Sequence, residues 1–319
     1  MSAPNPPGAP APADGSLPQA ALETLATTPF GVYVHVPFCA ARCGYCDFNT
    51  YVPDSLRQEA LAPTWTGKPR PAADMSDAGL FAAYVQAVNH ELDLAQKVLG
   101  DVEVRTVYFG GGTPTLLPTS VQASILDAVK RRFRLAWDAE VSTEANPESV
   151  SGFGLDALAI AGFNRISLGM QSAVPRVLQL LDRRHTPGRV AQAVEWARQA
   201  GFSSVGVDLI YGSPTETAEE WRQSLRAAID MGPDHVSAYS LTLEPGTRLE
   251  RRVRSGEFEA ADPDTQADYY QLAEDELGRV GLRSYEISNW AKAGHECRHN
   301  LAYWHSDNWW GLGPGAHSH

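Results

Sequence analysis

The sequence predicts an α/β protein. Six strand–helix units build an open, partial barrel around a parallel sheet, and a short C-terminal extension follows. Three observations carry this. Strand-like apolar runs alternate six times with segments of helical period. The connections are short, and several close on a glycine. The residues best suited to chemistry fall just after the strand runs. Such alternation specifies parallel strands wrapped by helices. Six units are too few to close an eightfold barrel, and in this architecture chemistry belongs at the C-terminal ends of the strands.

Residues 1–28 are rich in Pro and Ala and poor in large apolar side chains. They cannot bury enough surface to offset ordering entropy, so a disordered tail is expected, with the core domain spanning 29–246. Phe30–Val36 reads as a buried strand. Residues 52–75 hold Pro53, Pro63, Pro69 and Pro71 without a clear period and read as a surface insertion. Phe81, Tyr84, Val85, Val88, Leu92, Ala95 and Leu99 then recur at helical spacing. Next come a strand over Val104–Phe109, a helix over Val121–Phe133 and a strand over Glu140–Glu144. A short helix over Leu155–Ala161 ends at Gly162, and a strand covers Arg165–Met170. A helix over 188–200 closes on Gly201. A strand over Val205–Tyr211, a helix over Ala218–Met231 and a strand over His235–Leu243 complete the set, and 247–319 form the extension.

Hydrophobic residues make up 43% of the chain and charged residues 20%, as in ordinary globular domains. A net charge of −12 and a pI near 5.2 disfavour tracking of nucleic-acid phosphates. The basic run from Lys130 to Arg134 falls at a helix end, where it complements the helix dipole. Only four cysteines occur and three lie within eight residues, which is no disulfide framework. Adjacent thiolates that must stay reduced imply the cytoplasm. No apolar run approaches the roughly 20 residues of a membrane span, and no signal-peptide pattern opens the chain.

Four motifs carry chemistry. In Cys39-Ala40-Ala41-Arg42-Cys43-Gly44-Tyr45-Cys46, three closely spaced thiolates suit an iron–sulfur cluster. Three ligands leave one iron open, as in metal sites that react. A zinc site completed by His35 or Cys297 is the alternative. Gly110-Gly111-Gly112-Thr113-Pro114 ends a strand, where side-chain-free backbone lets a ligand approach. Glu144 ends the next strand, and a carboxylate there can accept two ribose hydroxyls unless it is merely solvated. Gln171 ends the strand after that, Arg183 follows twelve residues later, and Asp208 is an acid inside an apolar strand that needs a partner or ligand. Finally, His299-Asn300-Leu301-Ala302-Tyr303-Trp304 gathers an imidazole and two aromatic rings, which read by themselves as an aromatic cluster with a hydrogen-bonded histidine.

A Cys-x3-Cys-x2-Cys loop after a first strand resembles the radical S-adenosylmethionine (SAM) superfamily. The flanks Val34-His35-Val36-Pro37-Phe38-Cys39 and Tyr45-Cys46-Asp47-Phe48 resemble its group of oxygen-independent coproporphyrinogen III oxidases and their paralogues, the heme chaperones HemW. The hexapeptide from His299 reproduces the H-N-x-x-Y-W signature of the chaperones. The resemblance covers about residues 30–319. It implies a radical SAM fold with a [4Fe–4S] cluster on Cys39, Cys43 and Cys46. It implies SAM contacts from Tyr33, Tyr45, Gly111, Gly112, Thr113, Glu144, Gln171, Arg183 and Asp208. It implies heme contacts from His299, Tyr303 and Trp304, with imidazole a familiar axial ligand of heme iron.

Two departures favour the chaperone over the oxidase. Phe48 stands where the oxidase has a further cysteine, and a Pro/Ala-rich tail replaces its ordered N-terminal segment. Family members also continue past the Gly-x-Gly-Ala-His-Ser stretch into a helical domain, so 247–319 is expected to be truncated. The resemblance therefore implies a chaperone in porphyrin biosynthesis that binds the cluster, SAM and heme. It would pass heme to acceptor hemoproteins, respiratory ones among them, without acting on coproporphyrinogen; no catalytic residue is assigned. The alternative is the oxidase, making protoporphyrinogen IX by radical decarboxylation. A radical SAM enzyme acting on tRNA is a third reading that the acidic charge opposes.

Overall fold

The computed structural model describes residues 12, 14–25, 27–56, 76–183, 185, 186 and 188–319. Its elements in order are α1 (Gln19–Thr24), β1 (Phe30–Val36), α2 (Asp77–Leu99), β2 (Glu103–Gly111), α3 (Thr119–Arg132), β3 (Arg134–Ala145), α4 (Gly152–Ala161), β4 (Arg165–Gln171), α5 (Pro175–Leu180), α6 (Arg189–Gln199) and β5 (Ser204–Tyr211). They continue with α7 (Ala218–Asp230), β6 (His235–Ser240), α8 (Arg248–Arg254), α9 (Pro263–Arg279), β7 (Arg283–Ser284), β8 (Asn289–Ala291), α10 (Arg298–His305) and β9 (Asn308–Leu312). The strands form one sheet in the order β7-β8-β6-β5-β4-β3-β2-β1-β9. Strands β1 to β6 are all parallel and adjacent in sequence order, the open six-unit array that the alternation predicts.

Local chemistry accounts for the helix ends. Ser76 caps α2 and Ser151 caps α4, each accepting a backbone N–H at 3.1 Å. Gly162 ends α4 in the left-handed region. Thr217 and Glu220 form a reciprocal capping box on α7. At the basic end of α3, Lys130 donates to the Ala161 carbonyl at 2.7 Å, and Arg132 pairs with Asp93 at 2.6 Å.

The six parallel strands have two unlike faces, because side chains alternate along a strand. One face carries Val32, Val34, Val36, Val107, Phe109, Ile166, Leu168, Val205, Val207 and Val236, all buried beneath the helices. The other face is polar. It carries Tyr33 and His35 on β1, Tyr108 on β2, and Glu140, Ser142 and Glu144 on β3. It continues with Arg165 and Ser167 on β4, Asp208 on β5, and His235, Ser237 and Tyr239 on β6. Parallel strands are usually apolar on both faces. The polar face here lines the interior of the open barrel.

The structure differs from the sequence expectation at several places. The sheet does not stop at residue 246. Strand β9 pairs parallel with β1, and β8 and β7 extend the opposite edge antiparallel. These strands are two to five residues long, too short to display a period. Strand β3 opens at Arg134, because Arg134 and Leu135 pair with Glu103 and Val104 ahead of a register shift. Strand β6 ends at Ser240 rather than Leu243, because Leu241 turns into a second apolar cluster with Val177, Leu180, Leu181 and Leu249. Of the tail expected to be disordered, residues 1–11, 13 and 26 lie outside the described residues; the described part contains α1, held by Leu17 and Leu25 against the core and by a Thr24–Asn308 hydrogen bond. Residues 57–75 of the expected insertion lie outside the described residues. Among the described residues, no helix is long and apolar enough to cross a membrane.

Candidate functional site

The cysteine loop leaves the C-terminal end of β1 and is pinned on both sides. Cys39 N–H donates to the Tyr51 carbonyl at 3.0 Å, and Tyr51 N–H to the Pro37 carbonyl at 2.6 Å. On the far side Gly44 bonds the Leu181 carbonyl at 3.2 Å and receives Leu249 N–H at 2.8 Å. All three sulfurs are half-buried and free. Thr113 Oγ1 lies 3.6 Å from Cys39 Sγ, and an Arg183 Nη lies 3.7 Å from Cys43 Sγ. Burial pushes the Cys39 and Cys46 thiols up, and the neighbouring cysteines add to it. Thiols so placed resist ionising until a metal takes the proton's place.

The donor set is three free thiols, the soft ligands that iron–sulfur clusters take. Among the described residues, no three His, Cys, Asp or Glu side chains converge to hold one metal ion. A cluster holds each thiolate on a different iron, so convergence on a point is not required of it. Both candidate fourth ligands for zinc are engaged. His35 contacts the Tyr33 hydroxyl at 3.1 Å and the Asn49 carbonyl at 3.0 Å, through different ring nitrogens. Cys297 is buried beside Glu140, 3.5 Å from its Oε1.

The glycine run packs directly on this loop. A Cβ on Gly112 would sit 2.7 Å from the Phe38 carbonyl oxygen and 3.1 Å from Cys39 Sγ. Gly111, at φ 104°, would drive a Cβ to 2.5 Å from the His35 ring. Gly111 N–H in turn donates to Glu144 Oε2 at 3.2 Å, and the Tyr108 hydroxyl donates to Oε1 at 2.8 Å. Asp208 accepts the Ser167 hydroxyl at 2.7 Å. Burial, then the charge of Asp208, pushes the Glu144 carboxyl up to about 7 against these two hydrogen bonds. Burial also raises Asp208, opposed by hydrogen bonds from Ser167 and Ser237.

Arg183 ties the cysteine loop to β4. One of its nitrogens donates to the Gly169 carbonyl at 2.7 Å while another reaches Cys43. Gln171 adopts φ 66° at the end of β4, and its amide nitrogen lies 2.9 Å from where a Gly169 Cβ would stand. Tyr45 packs beside Cys43 and Arg183, its phenol raised by burial. Cys39, Cys43, Cys46, Tyr45, Gly111, Gly112, Thr113, Glu144, Gln171, Arg183 and Asp208 thus share one end of the barrel. Tyr33 stands one row lower, in register with Tyr108.

The hexapeptide lies elsewhere: His299, expected among the heme contacts, sits among protein partners on the far side of the glycine run. His299 is buried against the N-terminal end of the barrel. Its Nδ1 lies 2.7 Å from Thr106 Oγ1 and its Nε2 lies 3.0 Å from the Tyr303 hydroxyl. The ring stacks on Tyr108 at 5.2 Å. Burial lowers its pKa to about 3, so the ring stays neutral. Its backbone N–H donates to Glu140, as does that of Arg298. Glu140 faces buried Arg165 at 3.9 Å. His299 therefore plugs the barrel floor, with both ring nitrogens committed. Tyr303 packs on Trp309 at 4.6 Å, while Trp304 is 53% exposed.

Sequence reasoning overlooked Tyr108, Glu140, Arg165 and Tyr239. The available signal was strand polarity: these polar residues fall at every second position of runs otherwise rich in Val, Ile and Leu.

The profile of the Radical SAM superfamily matches residues 33–228. The heme chaperone HemW of Mycobacterium tuberculosis (strain H37Rv) is 50% identical over 298 residues, covering 93% of this chain and 71% of that protein. HemW of Escherichia coli is 36% identical over 289 residues, covering 91% and 70%. The radical S-adenosyl methionine domain-containing protein 1, mitochondrial, of Mus musculus is 37% identical, covering 95% and 63%. Among solved structures, coproporphyrinogen III oxidase (HemN) from Escherichia coli superposes with a TM-score of 0.76 at 24% identity, over 96% of this chain and 68% of that one. That likeness speaks for the fold.

Proposed function

Because the chain belongs to the radical SAM superfamily and, within it, to the HemW family of heme chaperones, we propose that it is a cytoplasmic chaperone that binds a [4Fe–4S] cluster, SAM and heme and hands heme to acceptor hemoproteins. The observation that carries the cofactor half is the meeting of three free cysteines, a glycine run and an acid pair at one barrel end. Cys39, Cys43 and Cys46 would hold the cluster. When bound, it supplies an open iron to which an amino acid's amine and carboxylate can bind.

The chain's own residues do the rest. Gly111 and Gly112 keep the backbone low enough for a ligand to lie against it. Thr113 and Arg183 place a hydroxyl and a cation beside two of the sulfurs. Glu144 and Asp208 offer carboxylate acceptors to sugar hydroxyls. Gln171 is held where its amide can reach into the same space. The heme half rests on membership of the heme-chaperone family; without heme, both ring nitrogens of His299 are engaged by protein hydroxyls. Phe48, 58% exposed after the cysteine triplet, adds no fourth thiol.

The test is anaerobic reconstitution with iron and sulfide, then titration with SAM and with heme. About four irons per chain, SAM binding and one bound heme are the expected results. Turnover of coproporphyrinogen III to protoporphyrinogen IX, with SAM and a reductant, would replace the chaperone reading with the oxidase.

A further inference from the structure

On the polar wall of the barrel, Tyr239 stands apart from its neighbours among the described residues. Near the barrel's C-terminal end most inner-face side chains are small or committed: Glu144 to Tyr108 and Gly111, Asp208 to Ser167, Arg183 to Gly169. Tyr33 and Tyr108 lie within stacking distance of His299, at 6.3 and 5.2 Å. Tyr239 is different. It points inward, since Ser237 two residues before it faces Asp208 across the strand pair. Crowding by surrounding protein groups, then the charge of Asp208, pushes its phenol up, and its hydroxyl is held toward Asn289 and Ser237. Yet the side chain is 46% exposed. A ring surrounded by protein groups and still open to solvent is the wall of a concavity. The neighbouring turn presents Ile287, 65% exposed, next to the Ser288 carbonyl that accepts Ala238 N–H at 2.8 Å.

We propose that Tyr239, with Ile287 beside it, is the apolar platform on which the tetrapyrrole lies, at the β6 wall of the barrel mouth. This rests on the heme-binding reading above and gives that ligand a place the family signature does not indicate. Heme is broad, flat and apolar, so it requires a surface that stacks on its face. The aromatic rings at the barrel floor are already packed on one another, from His299 through Tyr303 to Trp309. Tyr239 is an aromatic ring open to solvent, held at its hydroxyl end and placed near Asp208 and Glu144. The heme propionates face outward, where water solvates them, and not into the wall that holds Glu144 and Asp208.

The test is a titration of ferric heme into the reconstituted full chain and into Tyr239→Ala, Tyr239→Phe and Ile287→Ser variants, with SAM binding measured on each. Tyr239→Ala should weaken heme binding about tenfold or more, Ile287→Ser several-fold, and Tyr239→Phe little, since the ring remains. SAM affinity should stay within about twofold throughout. Heme binding by Tyr239→Ala equal to the parent's overturns the platform and leaves the chaperone reading intact. Loss of SAM binding with heme binding kept also overturns it, assigning the ring to adenine. A parent chain that binds no heme overturns both readings.

Discussion

The Tyr108 hydroxyl donates to Glu144 Oε1 at 2.8 Å, joining the two ends of the barrel through one residue. Tyr108 stacks on His299 at the floor, while its hydroxyl fixes the carboxylate nearest the glycine run at the mouth. The floor therefore helps to orient the mouth, although the two are far apart in sequence.

The three cysteines should be jointly required. Replacing Cys43 with Ala should abolish the visible absorption of the reconstituted cluster, as should Cys39→Ala and Cys46→Ala. A stable cluster in the Cys43→Ala protein would remove that residue from the ligand set.

Glu144 should make stability and SAM binding respond to pH. Its carboxyl rises from 4.5 to about 7 in the fold. Between those values the unfolded chain has released this proton while the folded chain keeps it. Stability contributed by this residue therefore falls as pH rises through that window and levels off above it. Glu144→Gln should recover up to about 3 kcal/mol at pH 8. It should also weaken SAM binding by about 1–3 kcal/mol, through loss of charge-assisted hydrogen bonds. Denaturant titrations at pH 5 and pH 8, with calorimetry of SAM binding, read both effects; equal stability changes at the two pH values would contradict the first.

His299 should behave as a structural residue. His299→Ala empties a buried ring site and orphans Thr106 and Tyr303, so it should destabilise the fold by about 3 kcal/mol. Heme affinity, measured below the variant's unfolding range, should be unchanged. Selective loss of heme binding in a variant of parental stability would return His299 to the list of ligands.

Glu140 should be more sensitive still. It accepts the backbone N–H groups of Arg298 and His299 and stands beside Arg165, itself buried. Glu140→Ala leaves that guanidinium without its carboxylate and α10 without its anchor. A loss of about 3–5 kcal/mol is expected, typical of a broken buried pair. Thermal unfolding of the apo chain measures it, and a change under 1 kcal/mol would mean that water replaces the carboxylate.

The sequence by itself determined the parallel array and much of the mouth. Strand β1 has the bounds read from it, Phe30–Val36, and five further strands follow in order, because period and glycine punctuation are local properties of the chain. The cysteine loop, the glycine run and the acids at strand ends were legible for the same reason: parallel strands deliver their C-terminal ends to one side. Only tertiary structure decided where the His299 ring goes, because its Nδ1 meets Thr106, which no spacing encodes, whereas Tyr303 lies one helical turn on. It likewise decided that β9 would pair with β1 and that Glu140 and Arg165 would meet beneath the barrel. Strands of two to five residues carry no period of their own, and a buried pair is recognised only once both partners have lost water. Tyr239 reads in sequence as one aromatic in a strand of mixed polarity; its exposure beside buried acids follows only from the fold.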